Sequence, residues 1–436
     1  MRAIVTPVRS LRGRLAVPGD KSISHRAALL GAIALGRTEI TGFLDGEDCL
    51  NSLRALEALG VEVARKGAGH YLINGAGLDG LQEPSTILDC GNSGTTARLL
   101  LGLLAGQPFT ALLTGDESLR RRPMDRVVGP LRLMGATVAG RRNGERLPLA
   151  ISGHPPLRAV RHLLPVASAQ VKSALLLAGL YADGPVTVEE PARSRDHTER
   201  MLGAFGGALK REHLSVTIEP GGRLQGQTLR VPGDFSSAAF FLVASLIVDE
   251  SDVTIEGVGL NPTRTGLLDL LLEMGGSASS SVEGEEGEPW GSVRLQSSRL
   301  RGVRVGGPMI PRLIDEFPIL AVAAACAEGT TEVRDARELR VKESDRIRAL
   351  AEELTKLGAK IEERPDGFTI QGGSRLRGGV VSSWGDHRIA MALIIAGLVA
   401  ERESVVEDVE CVRTSYPGFF DDITRLAGAP CVKVEP

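Results

Sequence analysis

Six times along the 436 residues, a helix-like apolar stretch stops at a residue pair ending in glycine and runs straight into a β-branched segment. The stops are Leu59-Gly60, Met134-Gly135, Phe205-Gly206, Met274-Gly275, Leu357-Gly358 and Ala427-Gly428. Their spacing of roughly 70 residues is longer than that of compact solenoid repeats, so each copy reads as a small α/β unit. A second marker keeps the same beat: Gly36 to Ile40, Gly106 to Thr110, Gly184 to Thr187, Asp252 to Ile255, Gly329 to Val333 and Ser404 to Val406. These read as strands. A coarser duplication lies on top, because Val17-Pro18-Gly19-Asp20 recurs as Val231-Pro232-Gly233-Asp234, each time followed by a serine and an apolar helical run. The repeats therefore group as two related halves of three units.

A chain of this length exceeds the size at which one core keeps growing, which also argues for two domains. The first Val-Pro-Gly-Asp lies so near the amino terminus that both crossovers are expected there. Residues 1–19 then return to complete a domain with 233–436, residues 20–232 form the other, and hinge strands lie near 17–20 and 231–234. Charged residues at 24% and apolar ones at 42% suffice for sizeable cores. The longest apolar runs, Ala238 to Val248 and Ile389 to Ala400, fall short of the ~20 residues a membrane span needs. With no signal-peptide pattern at the start, a cytoplasmic location is expected.

The five cysteines, Cys49, Cys90, Cys326, Cys411 and Cys431, are odd in number, scattered and never spaced C-x-x-C, which argues against a disulfide framework or a zinc site. A net charge of −3 and 3% aromatics argue against a nucleic-acid surface, which needs a basic footprint and stacking platforms.

Chemistry concentrates where small polar residues enter apolar helices. Gly19-Asp20-Lys21-Ser22-Ile23-Ser24-His25-Arg26 is one such opening. Amides at a helix start beside a lysine and a serine form an anion seat, and Ser22 and Arg26, four apart, share a face. A capped, solvated helix start reads the same way. The spacing is not that of a P-loop, since Asp20 separates the glycine from Lys21. Asp89-Cys90-Gly91-Asn92-Ser93-Gly94-Thr95-Thr96-Ala97-Arg98 repeats the design, with glycines that let backbone approach a ligand or simply pack a tight turn. In Arg120-Arg121-Arg122-Pro123, Arg122 is the functional candidate because proline restrains the chain after it, and the other two read as a solvated face.

Ser168-Ala169-Gln170-Val171-Lys172-Ser173 and Ser194-Arg195-Asp196-His197-Thr198-Glu199-Arg200 open further helices, as does Gly385-Asp386-His387-Arg388. In Arg340-Val341-Lys342-Glu343-Ser344-Asp345-Arg346-Ile347, a helix would place Lys342 and Arg346 at i and i+4, a like-charge pair that calls for an anion or carboxylate between them. An internal ion-pair ladder with Glu343 and Asp345 is the competing explanation. Asp315 and Glu316 lie between Ile314 and Phe317, so a carboxylate there is a candidate for partial desolvation and proton transfer. Spacing alone does not bring it near Glu343.

Together, Gly19-Asp20-Lys21-Ser22 with Arg26, Gly91-Asn92-Ser93-Gly94-Thr95 with Arg98, Arg122-Pro123, Ser168-Ala169-Gln170, Lys342-Glu343-Ser344-Asp345-Arg346 and Asp386-His387-Arg388 resemble, in order, the 5-enolpyruvylshikimate-3-phosphate synthase family. The resemblance implies an α/β fold of two domains, each of three βαβαββ repeats in an inside-out α/β barrel, with pseudo-symmetric halves joined by a two-stranded hinge and closing over substrate. It implies transfer of the enolpyruvyl group from phosphoenolpyruvate to the 5-hydroxyl of shikimate 3-phosphate, with release of phosphate, by a monomer needing no metal or organic cofactor.

Carried over residue by residue, the resemblance makes Asp315, Glu343 and Lys21 catalytic. Shikimate 3-phosphate falls to Lys21, Ser22, Arg26, Ser168, the Ala169 backbone, Gln170, Arg195, Asp315 and Lys342. Phosphoenolpyruvate falls to Lys21, Gly94, Thr95, Arg122, Gln170, Arg346 and Arg388. Fixed cations suit two substrates that bring phosphates and carboxylates together.

Some positions depart from the family pattern. Ala169 stands where many relatives have a second serine, Thr414 beside Arg413 aligns with a lysine of some members, and Glu338 falls at an asparagine position. The Ser168 to Lys172, Arg193 to Glu199 and Asn261-Pro262-Thr263-Arg264 segments resemble the class II branch, often associated with glyphosate tolerance, whereas Gly94 leaves room for the inhibitor, so glyphosate binding is expected. UDP-N-acetylglucosamine enolpyruvyl transferase shares fold and donor, but its loop cysteine upstream of Arg-Pro is replaced here by Gly115-Asp116-Glu117-Ser118. A non-catalytic binder of phosphorylated ligands would need the cations without the paired acids.

Overall fold

Each glycine stop closes an amphipathic helix: Glu47–Ala58, Asp125–Leu133, His197–Ala204, Gly266–Glu273, Arg346–Lys356 and Phe419–Ala427. Gly60, Gly135, Gly206, Gly275, Gly358 and Gly428 have φ between 69° and 107°, a region that a Cβ makes costly, and this is why glycine recurs on the beat. The computed structural model describes residues 1–285, 287–373 and 375–436.

A second set of helices lies inside: Lys21–Ile33, Gly94–Ala105, Ala169–Gly179, Phe235–Ile247, Phe317–Cys326 and His387–Leu398. They are almost wholly buried and, past their polar opening turns, largely apolar, as expected of helices enclosed by sheet and helix. The two long apolar runs of the sequence are two of these helices. No helix among the described residues is long and apolar enough to cross a membrane.

The strands form six four-stranded sheets among the described residues, all with one pairing pattern. In one, Leu88–Asp89 runs parallel to Thr110–Thr114, with the inner helix Gly94–Ala105 between them in the chain. The outer helix Asp125–Leu133 follows, and Thr137–Gly140 and Arg146–Ser152 then close an antiparallel hairpin against Thr110–Thr114. This is one βαβαββ unit, and the α/β repeat architecture holds along the chain. Two strands begin two or more residues later than the sequence markers. Gly106 to Phe109 is a turn before Thr110–Thr114, and Gly184-Pro185 precedes Val186–Glu189, because Pro108 and Pro185 cannot donate to a ladder.

The chain forms two compact units, Met1–Pro18 with Pro232–Pro436 and Gly19–Val231. In the first, Arg2–Val5 pairs with both Ser404–Glu407 and Val432–Glu435, and Arg12–Ala16 runs parallel to Asp252–Gly259. In the second, Thr228–Arg230 runs parallel to Leu35–Thr41. Each unit has its own apolar core. All five cysteines are free thiols, with Cys49, Cys90 and Cys431 buried.

Candidate functional site

The inner helices begin with polar residues, and side-chain caps fix where each helix starts. Asp20 accepts from the Ile23 amide, Ser93 from Thr96, Ser168 from Val171, Asp234 from Ser236 and Asp386 from Arg388. Phe317–Cys326 instead has Pro318 in its first turn, where a missing N–H costs nothing.

In the unit Gly19–Val231, Lys21 is largely buried, with Nζ 3.1 Å from an Asp48 carboxylate oxygen. Arg26, 4% exposed, donates through Nε to Thr198 Oγ1 (2.6 Å), through Nη1 to the Ser22 carbonyl (2.9 Å) and through Nη2 to Ser173 Oγ (2.7 Å). It thereby ties Lys21–Ile33 to Ala169–Gly179 and His197–Ala204. His25 lies between these cations with Nδ1 2.8 Å from Ser52 Oγ, and burial first, then Lys21 and Arg26, push its pKa well below 6.5. Ser168 caps Ala169–Gly179, and the Ala169 carbonyl accepts from Ser173 Oγ. Half-buried Arg195 sits in the loop just before the His197–Ala204 helix.

The other candidates in this unit form a tight group. Gln170 donates to Thr95 Oγ1 at 2.9 Å and accepts from Arg98 Nη1 at 2.8 Å. Arg98 also donates to the Pro123 carbonyl at 2.8 Å. Arg122, 8% exposed, donates to Asn92 Oδ1 at 2.8 Å. Gly94 is where these guanidiniums converge: a methyl there would stand 2.7 Å from Arg98 Nη1 and 3.3 Å from Arg122 Nη1.

In the other unit, the candidates Asp315 and Glu343 meet at a third, Arg346. Arg346 is fully buried and donates through Nε to Asp386 (2.8 Å), through Nη1 to Asp315 (3.3 Å) and through Nη2 to Glu343 (2.6 Å). Burial opposes its charge, but the carboxylates of Asp386, Glu343 and Asp315 outweigh that and raise its pKa. Burial likewise opposes ionisation of Asp386, yet Arg346 holds its pKa below 3.8. Asp315 gathers three cations: Lys342 Nζ stands at 3.8 Å, Arg346 at 3.3 Å and Arg388 Nη2 at 3.7 Å. Arg388 Nη1 also donates to the Asp315 carbonyl at 3.3 Å.

One expectation changes. Lys342 and Arg346 are not an i, i+4 pair on one helix, since Arg337–Val341 is a 3₁₀ turn capped by Lys342 and the α-helix starts only at Arg346. The reason is Asp345, which caps the Arg348 amide while its carboxylate holds Arg340 at 2.9 Å. Of the two carboxylates between Ile314 and Phe317, Glu316 is 1% exposed and the Asp315 side chain 15%, so both are largely desolvated. Glu316 accepts from Ser236, which also accepts from Arg264 at 2.7 Å, and Arg264 pairs with Asp234 at 3.2 Å. Thr414 turns its hydroxyl to the Cys411 carbonyl.

Sequence reasoning left Arg98, Asp48 and Asp386 off the site. Arg98 and Asp386 stood inside quoted motifs, one at i+4 from Gly94 and the other as a helix cap, and those positions were the available signal. Asp48 lies in another helix and had none.

A repeat α/β architecture that sets buried guanidiniums, ammoniums and paired acids at helix starts belongs to enzymes that handle small molecules bearing phosphate and carboxylate groups. Residues 5–423 match the model of EPSP synthase (3-phosphoshikimate 1-carboxyvinyltransferase), and the chain belongs to that family. It is 56% identical over 423 residues to the 3-phosphoshikimate 1-carboxyvinyltransferase of Desulforudis audaxviator, covering 97% of this chain and 98% of that one. The Geobacter sulfurreducens protein of the same name is 56% identical over 422 residues, covering 97% and 98%. EPSP synthase from Acinetobacter baumannii has a similar structure, with a TM-score of 0.89 at 42% identity and full coverage of both chains.

Proposed function

We propose that the chain catalyses its family's reaction through the residues described above. The enzyme is a 3-phosphoshikimate 1-carboxyvinyltransferase, moving the enolpyruvyl group of phosphoenolpyruvate to the 5-hydroxyl of shikimate 3-phosphate and releasing phosphate. The observation that carries the residue assignment is the set of acids around Arg346: Asp315 and Glu343 share one buried guanidinium, with Lys342 and Arg388 beside Asp315.

In the addition step the 5-hydroxyl oxygen bonds to C2 of phosphoenolpyruvate and loses its proton to Asp315, while Glu343 gives a proton to the methylene carbon, leaving a tetrahedral intermediate. In the elimination step that methyl returns a proton, the C–O bond to phosphate breaks, and the double bond re-forms. Two carboxylates that share the Arg346 guanidinium suit this two-way traffic. Lys21 and Lys342 stabilise charge on the reacting oxygens. Arg122, Arg346 and Arg388 hold phosphoenolpyruvate, Gly94 and Thr95 line its position, and Gln170 addresses both substrates. Ser22, Arg26, Ser168, the Ala169 amide and Arg195 hold shikimate 3-phosphate. The reading includes a cytoplasmic monomer, no metal or organic cofactor, and inhibition by glyphosate, for which the bare Gly94 leaves space.

Phosphate release from phosphoenolpyruvate is the test, with shikimate 3-phosphate and UDP-N-acetylglucosamine as parallel acceptors. Release only with the former is expected, and release only with the latter would reverse the assignment. Asp315→Asn and Glu343→Gln should each lower kcat by about 10²–10⁴-fold with substrate binding retained in calorimetry. Equal losses of turnover and of binding would remove them from the proton transfers.

A further inference from the structure

Arg120 and Arg121 read from sequence as a solvated face, but the fold gives them company. A groove of about 500 Å³ in the unit Gly19–Val231 is lined by Arg120, Arg121, Arg141, Arg142 and Arg146, with Glu117 the one carboxylate among its lining residues. Two separate elements supply the arginines. One is the short helix Glu117–Arg121; the other is the turn from Arg141 to Gly144, which leads into the strand Arg146–Ser152. Glu117 pairs with Arg121, Arg141 donates to the Leu147 carbonyl, and Arg146 donates to the Glu145 carbonyl. Among the described residues, Arg120 and Arg142 are exposed, and their side chains make no hydrogen bond or ion pair.

Five guanidiniums against one carboxylate, on a chain whose net charge is −3, form a local positive field of opposite sign to the whole. Clustered like charges weaken a fold slightly, and no side-chain contact within the described residues accounts for Arg120 and Arg142. The groove also ends next to a residue with a role. Arg122 is the residue after Glu117–Arg121, its amide donates to Leu119, and its guanidinium reaches Asn92 beside Gly94.

We propose that this arginine groove is a landing site for the multiply charged anion phosphoenolpyruvate, collecting it from solution and delivering it to Arg122. The proposal rests on the reaction assigned above. Such a site acts through potential rather than fixed contacts, so its effect falls as salt shortens the screening length from ~30 Å at 0.01 M to ~8 Å at 0.15 M. It raises encounter and local concentration and leaves the chemical step alone.

The test is the double variant Arg120→Gln/Arg142→Gln, assayed at low and at high ionic strength. Neither side chain supports the fold, so the variant should be as stable as its parent. At low salt, kcat/KM for phosphoenolpyruvate should fall about five- to tenfold with kcat unchanged, and at high salt the loss should shrink below about twofold. Arg120→Lys/Arg142→Lys, which keeps the charge, should restore the low-salt value. Unchanged kcat/KM at low salt, an equal loss at both salts, a loss of kcat, or failure of the lysine variant to rescue would each overturn the proposal. Calorimetric titration of phosphoenolpyruvate at the two salts reads the groove without turnover. A wild-type protein that binds with the expected salt dependence but releases no phosphate would sink the reaction and leave the groove standing.

Discussion

Asp386→Asn tests whether the Arg346 network is an energetic keystone or a decoration. Both partners are essentially sealed from water, and the carboxylate meets the guanidinium side-on, at 2.8 Å from Nε and 3.4 Å from Nη2. Removing one partner of a buried ion pair costs about 3–5 kcal/mol. Arg346 keeps Glu343 at 2.6 Å and Asp315 at 3.3 Å, so about 2–3 kcal/mol is expected here. Asparagine caps a helix as well as aspartate does, so the Arg388 amide keeps its acceptor and the loss isolates the charge. Asp386→Ala should cost about 1 kcal/mol more, for the cap.

Both tryptophans, Trp290 and Trp384, lie in the unit Met1–Pro18 with Pro232–Pro436, so tryptophan fluorescence during urea unfolding reports that unit alone. At pH 7 the asparagine variant should lose about 5–10 °C of midpoint in a matching thermal scan. Because Arg346 lowers the Asp386 pKa below 3.8, its contribution is fully present above that value and is lost as pH falls through the folded pKa, so variant and parent should converge in acid. An asparagine variant within about 0.5 kcal/mol of the parent at pH 7, or one no better than alanine, would refute the reasoning.

Gly94→Ala should raise KM for phosphoenolpyruvate several-fold and weaken glyphosate inhibition by more, because its methyl would crowd Arg98 and Arg122; unchanged inhibition with activity intact would remove Gly94 from that pocket. Lys172 is 2% exposed and holds Glu190 at 2.7 Å and Glu199 at 2.8 Å, and although burial disfavours its charge, those two carboxylates raise its pKa. Lys172→Met should therefore cost about 3–5 kcal/mol in circular-dichroism melts, with Lys172→Met/Glu199→Gln recovering part of it, and a double variant no more stable than the single would contradict this. His25, with its pKa depressed by burial, contributes stability that is full above 6.5 and declines as pH falls below it, by up to about 1.4 kcal/mol per pH unit. Urea midpoints at pH 7.5, 6.5 and 5.5 should fall more steeply for the parent than for His25→Asn, and parallel slopes would exclude that titration.

The repeat could be read without coordinates because its marks are local. A left-handed glycine after an amphipathic helix, a β-branched run and a proline at a crossover are each dictated by a few neighbouring residues, and six copies reinforce one another. The candidate residues were legible for the same reason: caps and helix openings put Lys21, Ser22, Thr95, Ser168, Gln170 and Arg388 at helix starts whatever surrounds them. Proline positions, not pattern, decided where two strands began.

What local pattern cannot carry is partnership between side chains far apart in the chain. That Asp315 and Glu343 share Arg346, that Asp386 and not Glu343 is its deepest partner, and that Arg98 bridges Gln170 to Pro123 all depend on the packing of separate repeats. The same holds for Arg120, which reads in sequence as part of a solvated face and in the fold lines one groove with Arg142. Residue type, helix and turn belong to the sequence, since backbone sterics and hydrogen bonding act over a few residues. Which charges face one another belongs to the tertiary structure alone, because Coulomb energy and desolvation depend on distance and burial, and neither is encoded at any single position.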